Sequence, residues 1–326
     1  MPAIGSSRLV RPRTTDSHSC GIVAISKQPQ AAAMSGSIVV TGAAGALGRS
    51  VVEQLVARGA AERVVAVTRR PAALSELAAK GVRVRAGDFD DPASLEAAFA
   101  GVSRALVIST DALDKPGHRI AQHESAFKAL AALGAEHIVY TSIVNPTDSR
   151  IAVSKDHAAS EAALARTGVP FTALRNNVYS EMLLHNAKRA LASGKLVDAR
   201  GEGKVAYVSR EDVAAVAAAV LLTPPAGNQR LDVSGPDSLS GPDIARHMAE
   251  VGGCPVEHES IPLEALIEGM VQHGLPRPLA EIFASFDAGF AAGEMAAVSD
   301  TVERLTGKKP ETLADFLRRT KAAWAS

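Results

Sequence analysis

Neither sign of charge is in excess in this chain: 35 lysines and arginines stand against 35 aspartates and glutamates. With no net field, nothing in the composition draws it to nucleic acid or to an anionic membrane surface. Cysteine is nearly absent, and Cys20 and Cys254 alone can build neither a disulfide framework nor a thiolate metal site. The default setting for such a chain is reducing and cytoplasmic. No apolar run approaches the length that spans a bilayer. At 326 residues there is still enough chain to bury a large core, as one large domain or two modest ones.

What is present is organised around one turn. Ile38-Val39-Val40 is a short β-branched run, followed by Thr41-Gly42-Ala43-Ala44-Gly45-Ala46-Leu47-Gly48 and then by a helical pattern through Arg58. Strand, glycine-rich turn and amphipathic helix make the first unit of a dinucleotide-binding fold. Gly42 permits the sharp exit from the strand, Gly45 lets a pyrophosphate approach, and Gly48 lets helix and sheet pack closely. The helix start offers its unpaired N–H groups to phosphate.

The rhythm then repeats. Strands are expected at 63–68, 82–87, 103–109, 137–141 and 170–175, separated by helical segments, one of them running from Pro71 to Lys80. The pattern specifies an α/β fold, a Rossmann doubly wound parallel sheet of order 3-2-1-4-5-6 covered on both faces. Beyond Arg175 the alternation lapses into a helix near 180–192, a strand at 204–208, a helix at 211–222, a strand at 230–233 and further helices. This second part is expected to form a smaller mixed α/β substrate lobe. The expected organisation is therefore a leader over 1–34, a nucleotide-binding domain over 35–175 and a substrate lobe over 176–326, partly interleaved with the sheet. The leader carries Arg8, Arg11 and Arg13, is rich in serine and has one acid, Asp16. It reads either as a transit peptide or as an unstructured extension upstream of Met34, and the second reading is preferred because the first strand follows Met34 directly.

An acid at the end of the second strand would bind the ribose 2′-hydroxyl of NAD. Here that end carries Thr68, Arg69 and Arg70, whereas Glu62 precedes the strand. A guanidinium suits the 2′-phosphate of NADP, although both arginines are also what a solvated loop would carry. Asp88 and Phe89, after the third strand, are candidates for the adenine amine and ring, or for a capping carboxylate and a core phenylalanine.

The stretch from Ile38 through Gly48, together with Val107-Ile108-Ser109, Tyr140-Thr141-Ser142 and above all Leu174-Arg175-Asn176-Asn177-Val178-Tyr179-Ser180-Glu181, resembles the NmrA-like branch of the atypical short-chain dehydrogenase/reductases. Within it the resemblance is to the group containing bacterial NADPH:quinone oxidoreductase 2 and triphenylmethane reductase. It covers about residues 37–326. The resemblance implies that Gly42, Ala44, Gly45, Ala46, Leu47, Gly48, Arg69, Ser109, Thr110, Asp111, Asn176, Tyr179 and Glu181 surround NADP. It also implies direct hydride transfer to a quinone-like acceptor without flavin or metal.

The Tyr-x-x-x-Lys dyad of most short-chain reductases is missing: four residues after Tyr140, Tyr179 and Tyr207 stand Val144, Leu183 and Glu211. Ketone reduction loses its usual acid, but a quinone accepting hydride becomes a resonance-stabilised anion and needs less help. Candidate polar groups at the reaction centre are Ser142, His157, Asn177 and Tyr179. The resemblance adds weight to His157, which could protonate a quinol oxygen or could be a surface or capping residue. His123 reads as structural. Met182 stands where some relatives carry a polar residue. The sequence leaves open an alternative in which the chain senses NADP as a non-catalytic NmrA-type regulator, and it is compatible with a homodimer.

Overall fold

The computed structural model describes residues 36–113 and 115–325, so the leader expected over 1–34 lies outside the described residues. Nine strands are present among them: β1 (Ser37–Val40), β2 (Val64–Thr68), β3 (Arg83–Ala86), β4 (Val102–Val107), β5 (His137–Ile143), β6 (Phe171–Asn176), β7 (Lys195–Asp198), β8 (Gln229–Val233) and β9 (Glu257–Ser260). Seven of them form a sheet of order β3-β2-β1-β4-β5-β6-β8, parallel at every pairing. The expected order is found, with β8 added at the edge beside β6. The order reverses between β1 and β4, which is where an open α/β sheet leaves a crevice at its carboxyl edge.

Strands β1, β2, β4 and β5 are buried throughout, as β-branched runs covered on both faces must be. Successive side chains serve opposite cores. Ile38 and Val40 pack with Leu55, Val213 and Val216 on one face, and Val39 and Val65 pack with Phe99, Phe127 and Leu164 on the other. The first face is covered by helices Ala46–Ala57 and Arg210–Leu222, the second by Pro92–Phe99, His118–Ala132 and Ser154–Arg166. A third core around Leu196, Met248, Phe316 and Trp324 belongs to the C-terminal segments, where β7 and β9 pair in parallel as a second small sheet. No described helix is long and apolar enough to cross a membrane.

Several local expectations are corrected. Residues 204–208 make only isolated bridges, Val205 to Leu239 and Tyr179 to Val208, because their amides go to three separate segments, at the carbonyls of Leu239, Met295 and Val178. Strands β7 and β9 were invisible in the sequence: each has four residues, and Glu257-His258-Glu259-Ser260 lacks any apolar side chain. The helix expected from Pro71 to Lys80 is a 3-10 turn at Pro71–Leu74 followed by a short helix at Ser75–Ala78.

Buried charge ties the far half of the sheet together. Glu161, on the helix after β5, accepts two hydrogen bonds from Arg175 of β6, each 2.9 Å, one from Arg230 of β8 at 2.9 Å and one from Ser142 of β5 at 2.7 Å. Burial raises the Glu161 pKa, but the donors from Arg175 and Ser142 outweigh it and hold the carboxyl below its usual range. Arg104, buried within β4, donates from Nη1 to the carbonyls of Leu221 (2.6 Å) and Leu222 (2.7 Å), satisfying the end of helix Arg210–Leu222. Replacing Glu161 by alanine leaves two guanidiniums and a hydroxyl without their acceptor. Because both arginines keep some solvent access, the expected loss is about 3 kcal/mol in urea denaturation rather than the full cost of a dry ion.

Candidate nucleotide and hydride-transfer site

At the carboxyl edge of β1 the chain turns on Gly42, whose φ of +60° lies in the left-handed region. Gly48 serves packing instead: a Cβ there would stand 2.3 Å from the Gly42 carbonyl oxygen and 2.8 Å from the Ala43 Cα. Between them Gly45 is the N-cap of helix Ala46–Ala57, and no side chain caps this end and no acid stands in its first turn. Gly45 and Ala46 are exposed, Ala44 is half-buried, and Leu47 anchors the helix in the core. The result is an open helix terminus with a cradle of small residues, which matches the demands of a pyrophosphate.

Arg69 and Arg70 stand exposed at the end of β2, as expected, and no acid occupies the last residue of that strand. Asp88 spends its carboxylate on its own turn, accepting from the Asp90 amide at 3.1 Å, and Phe89 packs against the second core. The cap of the next helix is Asp91, which accepts from the amides of Ala93 and Ser94.

The loop leaving β4 is held in an unusual way. Three successive amides are each received by a side chain from a different element: Ile108 by Thr41 Oγ1 (3.0 Å), Ser109 by Thr141 Oγ1 (2.8 Å) and Thr110 by His123 Nε2 (3.0 Å). The Thr110 carbonyl accepts from Arg119 Nε at 2.8 Å. Asp111 follows, exposed to solvent.

Past β6, Asn176 donates from Nδ2 to the Tyr179 hydroxyl at 3.1 Å, and the Arg210 guanidinium lies 5.0 Å from the Tyr179 ring centroid. Glu181 accepts from the Arg210 amide at 3.1 Å, so it holds the start of helix Arg210–Leu222. Burial pushes the Tyr179 phenol above its ordinary pKa, keeping it protonated and able to donate. Asn176, Tyr179 and Glu181 are thus brought together by one turn of chain. Met182 beside them is 51% exposed.

Two candidates are placed differently from the sequence reading. Asn177 is buried and turned into the framework, donating to the Met295 carbonyl at 3.0 Å and accepting from the Val178 amide at 2.8 Å. His157 is 5% exposed with both ring nitrogens engaged. Arg119 Nη2 donates to its Nε2 at 2.9 Å, which puts the ring proton on Nδ1, directed to the Tyr140 hydroxyl at 2.9 Å. Burial, reinforced by Arg119 and His123, drives its pKa well below the ordinary histidine value. A neutral, enclosed imidazole whose one proton is committed to Tyr140 is a poor source of protons for a substrate. The sequence reading also passed over Thr41, Thr141, Arg119 and Arg210. The signal for Arg119 was its i, i+4 spacing from His123 on one helix face.

The NmrA-like family pattern matches residues 34–317, and this chain belongs to that family. It is 34% identical over 278 residues to quinone oxidoreductase 2 of Escherichia coli (strain K12), covering 85% of this chain and 96% of that protein. The crystal structure of that oxidoreductase complexed with NADPH superposes with a TM-score of 0.83, covering 87% of this chain and 99% of the other at 33% identity. An NAD(P)H azoreductase of Xenophilus azovorans is 31% identical over 290 residues, 89% of this chain and 99% of that one. Citrobacter sp. triphenylmethane reductase complexed with NADP(H) superposes with a TM-score of 0.82 at 33% identity, over 87% of this chain and 99% of its own.

The buried histidines carry a pH signature. Burial, with Arg119 nearby, lowers the His123 pKa from 6.5 to about 3. In the unfolded chain His123 takes up a proton below pH 6.5 that the folded protein refuses, so stability present above 6.5 is lost as pH falls toward 3. His123 alone is expected to reduce the unfolding free energy by about 2 kcal/mol between pH 7 and pH 5. Urea titrations at the two pH values measure this, and His123→Gln should flatten the dependence.

Proposed function

We propose that this chain is an NADPH-dependent oxidoreductase that passes hydride directly to a quinone-like acceptor, without flavin or metal. The observation that carries the reading is the carboxyl edge itself, where an uncapped helix terminus, an arginine pair and the Asn176-Tyr179-Glu181 turn stand at the carboxyl ends of β1, β2 and β6 of one parallel sheet. Residues 35–175 serve as the nucleotide-binding part and 176–326 contribute the substrate lobe. The relatives named for quinone and azo reduction and the dye-reductase structure support the same class of chemistry.

In this reading the amides at the start of helix Ala46–Ala57 hold the pyrophosphate, and Arg69 binds the 2′-phosphate with Arg70 beside it. NADPH, when bound, supplies the hydride. The loop Ser109–Asp111 and the Asn176–Glu181 turn orient the nucleotide and shield it from water. Tyr179 is the group with a proton to give: Asn176 occupies a lone pair of its oxygen, and its raised pKa keeps the phenol protonated near neutral pH. It donates a hydrogen bond to the acceptor oxygen on which negative charge develops, and the aromatic product anion then takes its proton from solvent.

Following NADPH consumption with a panel of benzo- and naphthoquinones tests the reading. Quinone-dependent oxidation with NADPH preferred over NADH is expected. Arg69→Ala should cut that preference about tenfold or more, the worth of a charge-assisted contact to phosphate. Tight NADPH binding with no turnover on any acceptor contradicts the reading and favours a cofactor-sensing role.

A further inference from the structure

We propose that Arg119 and His123 are positioning residues of this edge, a clamp that grips Thr110 by its N–H and its carbonyl and so sets the loop after β4 for the nucleotide. The proposal rests on the reading of this edge as an NADP site and names the residues on which nucleotide affinity depends without contact.

His123 receives the Thr110 amide on Nε2, and its remaining proton on Nδ1 is directed to Ser160 Oγ at 2.8 Å, which in turn donates to the Asp156 carbonyl at 2.7 Å. The ring must stay neutral, since a proton on Nε2 would oppose the Thr110 N–H, and its pKa of about 3 ensures this. One turn earlier on the same helix, Arg119 donates from Nε to the Thr110 carbonyl and from Nη2 to His157. Arg119 is 7% exposed, pairs with no carboxylate among the described residues, and leaves Nη1 without a hydrogen-bond partner. A buried cation left unpaired is costly. Packing alone could be met by a neutral side chain. What only arginine supplies is a rigid fork that reaches two acceptors in fixed directions, here a loop carbonyl and a buried imidazole.

The clamp also determines what the loop can bind. With the amides of Ile108, Ser109 and Thr110 all taken, and the Thr110 carbonyl taken as well, these three residues offer an anion no free N–H group. The Ser109 hydroxyl, half-buried and already accepting from Thr141 Oγ1 at 3.2 Å, still has a proton to offer, whereas Thr110 Oγ1 is buried without a partner. A hydroxyl donor suits the hydroxyl and carboxamide groups of the nicotinamide nucleoside, while phosphate is left to the helix terminus beyond Gly45.

Titration of the full chain with NADP+, followed by calorimetry, tests the clamp on Arg119→Met, Arg119→Lys, His123→Leu and His123→Gln, each checked for folding by circular dichroism. Arg119→Met and His123→Leu are expected to raise the NADP+ dissociation constant about tenfold or more, the loss of one strong positioning contact. Arg119→Lys and His123→Gln, which keep a donor and an acceptor, should recover part of that loss and stand in should the harsher variants not fold. Folded variants that bind NADP+ as the unaltered protein does overturn the clamp alone. An unaltered protein that binds no NADP+ overturns the site reading and removes the clamp's purpose with it.

Discussion

A parallel strand that ends at a crevice has a problem of hydrogen bonding: its last amides have left the sheet but are not in water. In this protein that constraint falls on Ile108, Ser109 and Thr110, and three side chains answer it. Thr41 stands at the head of the glycine turn, Thr141 in β5 and His123 on the helix between β4 and β5. The same bonds that satisfy the end of β4 therefore tie the glycine turn, β5 and the helix between β4 and β5 to one loop. The site inherits its shape from the need to leave no buried amide unpaired.

Charge inside the fold follows a related logic. Arg104 meets the carbonyls that end a helix, and Glu161 gathers donors from three strands, so each buried ion is surrounded by groups that would themselves be costly unpaired. Arg119 and Arg200 each leave Nη1 without a hydrogen-bond partner, but Arg200 has Asp198 as its ion pair, whereas Arg119 meets no carboxylate among the described residues.

Much of this was legible in the residues. The doubly wound sheet followed from β-branched runs separated by helical periods, and Gly42 and Gly48 declared a positive φ and a close approach that the structure contains. The Asn176 to Glu181 turn was legible as a unit because its residues interact within a few positions of one another. Side chains whose partners are distant in sequence were not. His157 was read as a proton donor to substrate or as a surface or capping residue, and neither describes its buried place, because helix periodicity cannot say which neighbours a polar residue meets; its partners, Arg119 and Tyr140, lie 38 and 17 positions away. Asn177 was misplaced for the same reason, since the Met295 carbonyl it serves is 118 residues on. Strands β7 and β9 escaped notice because four residues, all of them polar in β9, carry too little pattern to register.

The central claim is that the edge of this sheet moves a hydride from NADPH straight to an organic acceptor. A single-turnover stopped-flow experiment, mixing the protein loaded with NADPH or its 4-deuterated form against a naphthoquinone, tests this most directly. The account predicts a single decay of the nicotinamide absorbance, slowed by deuterium at one of the two C4 positions, with no flavin signal. Decay that requires added flavin, or bound NADPH that persists in the presence of the quinone, would contradict it.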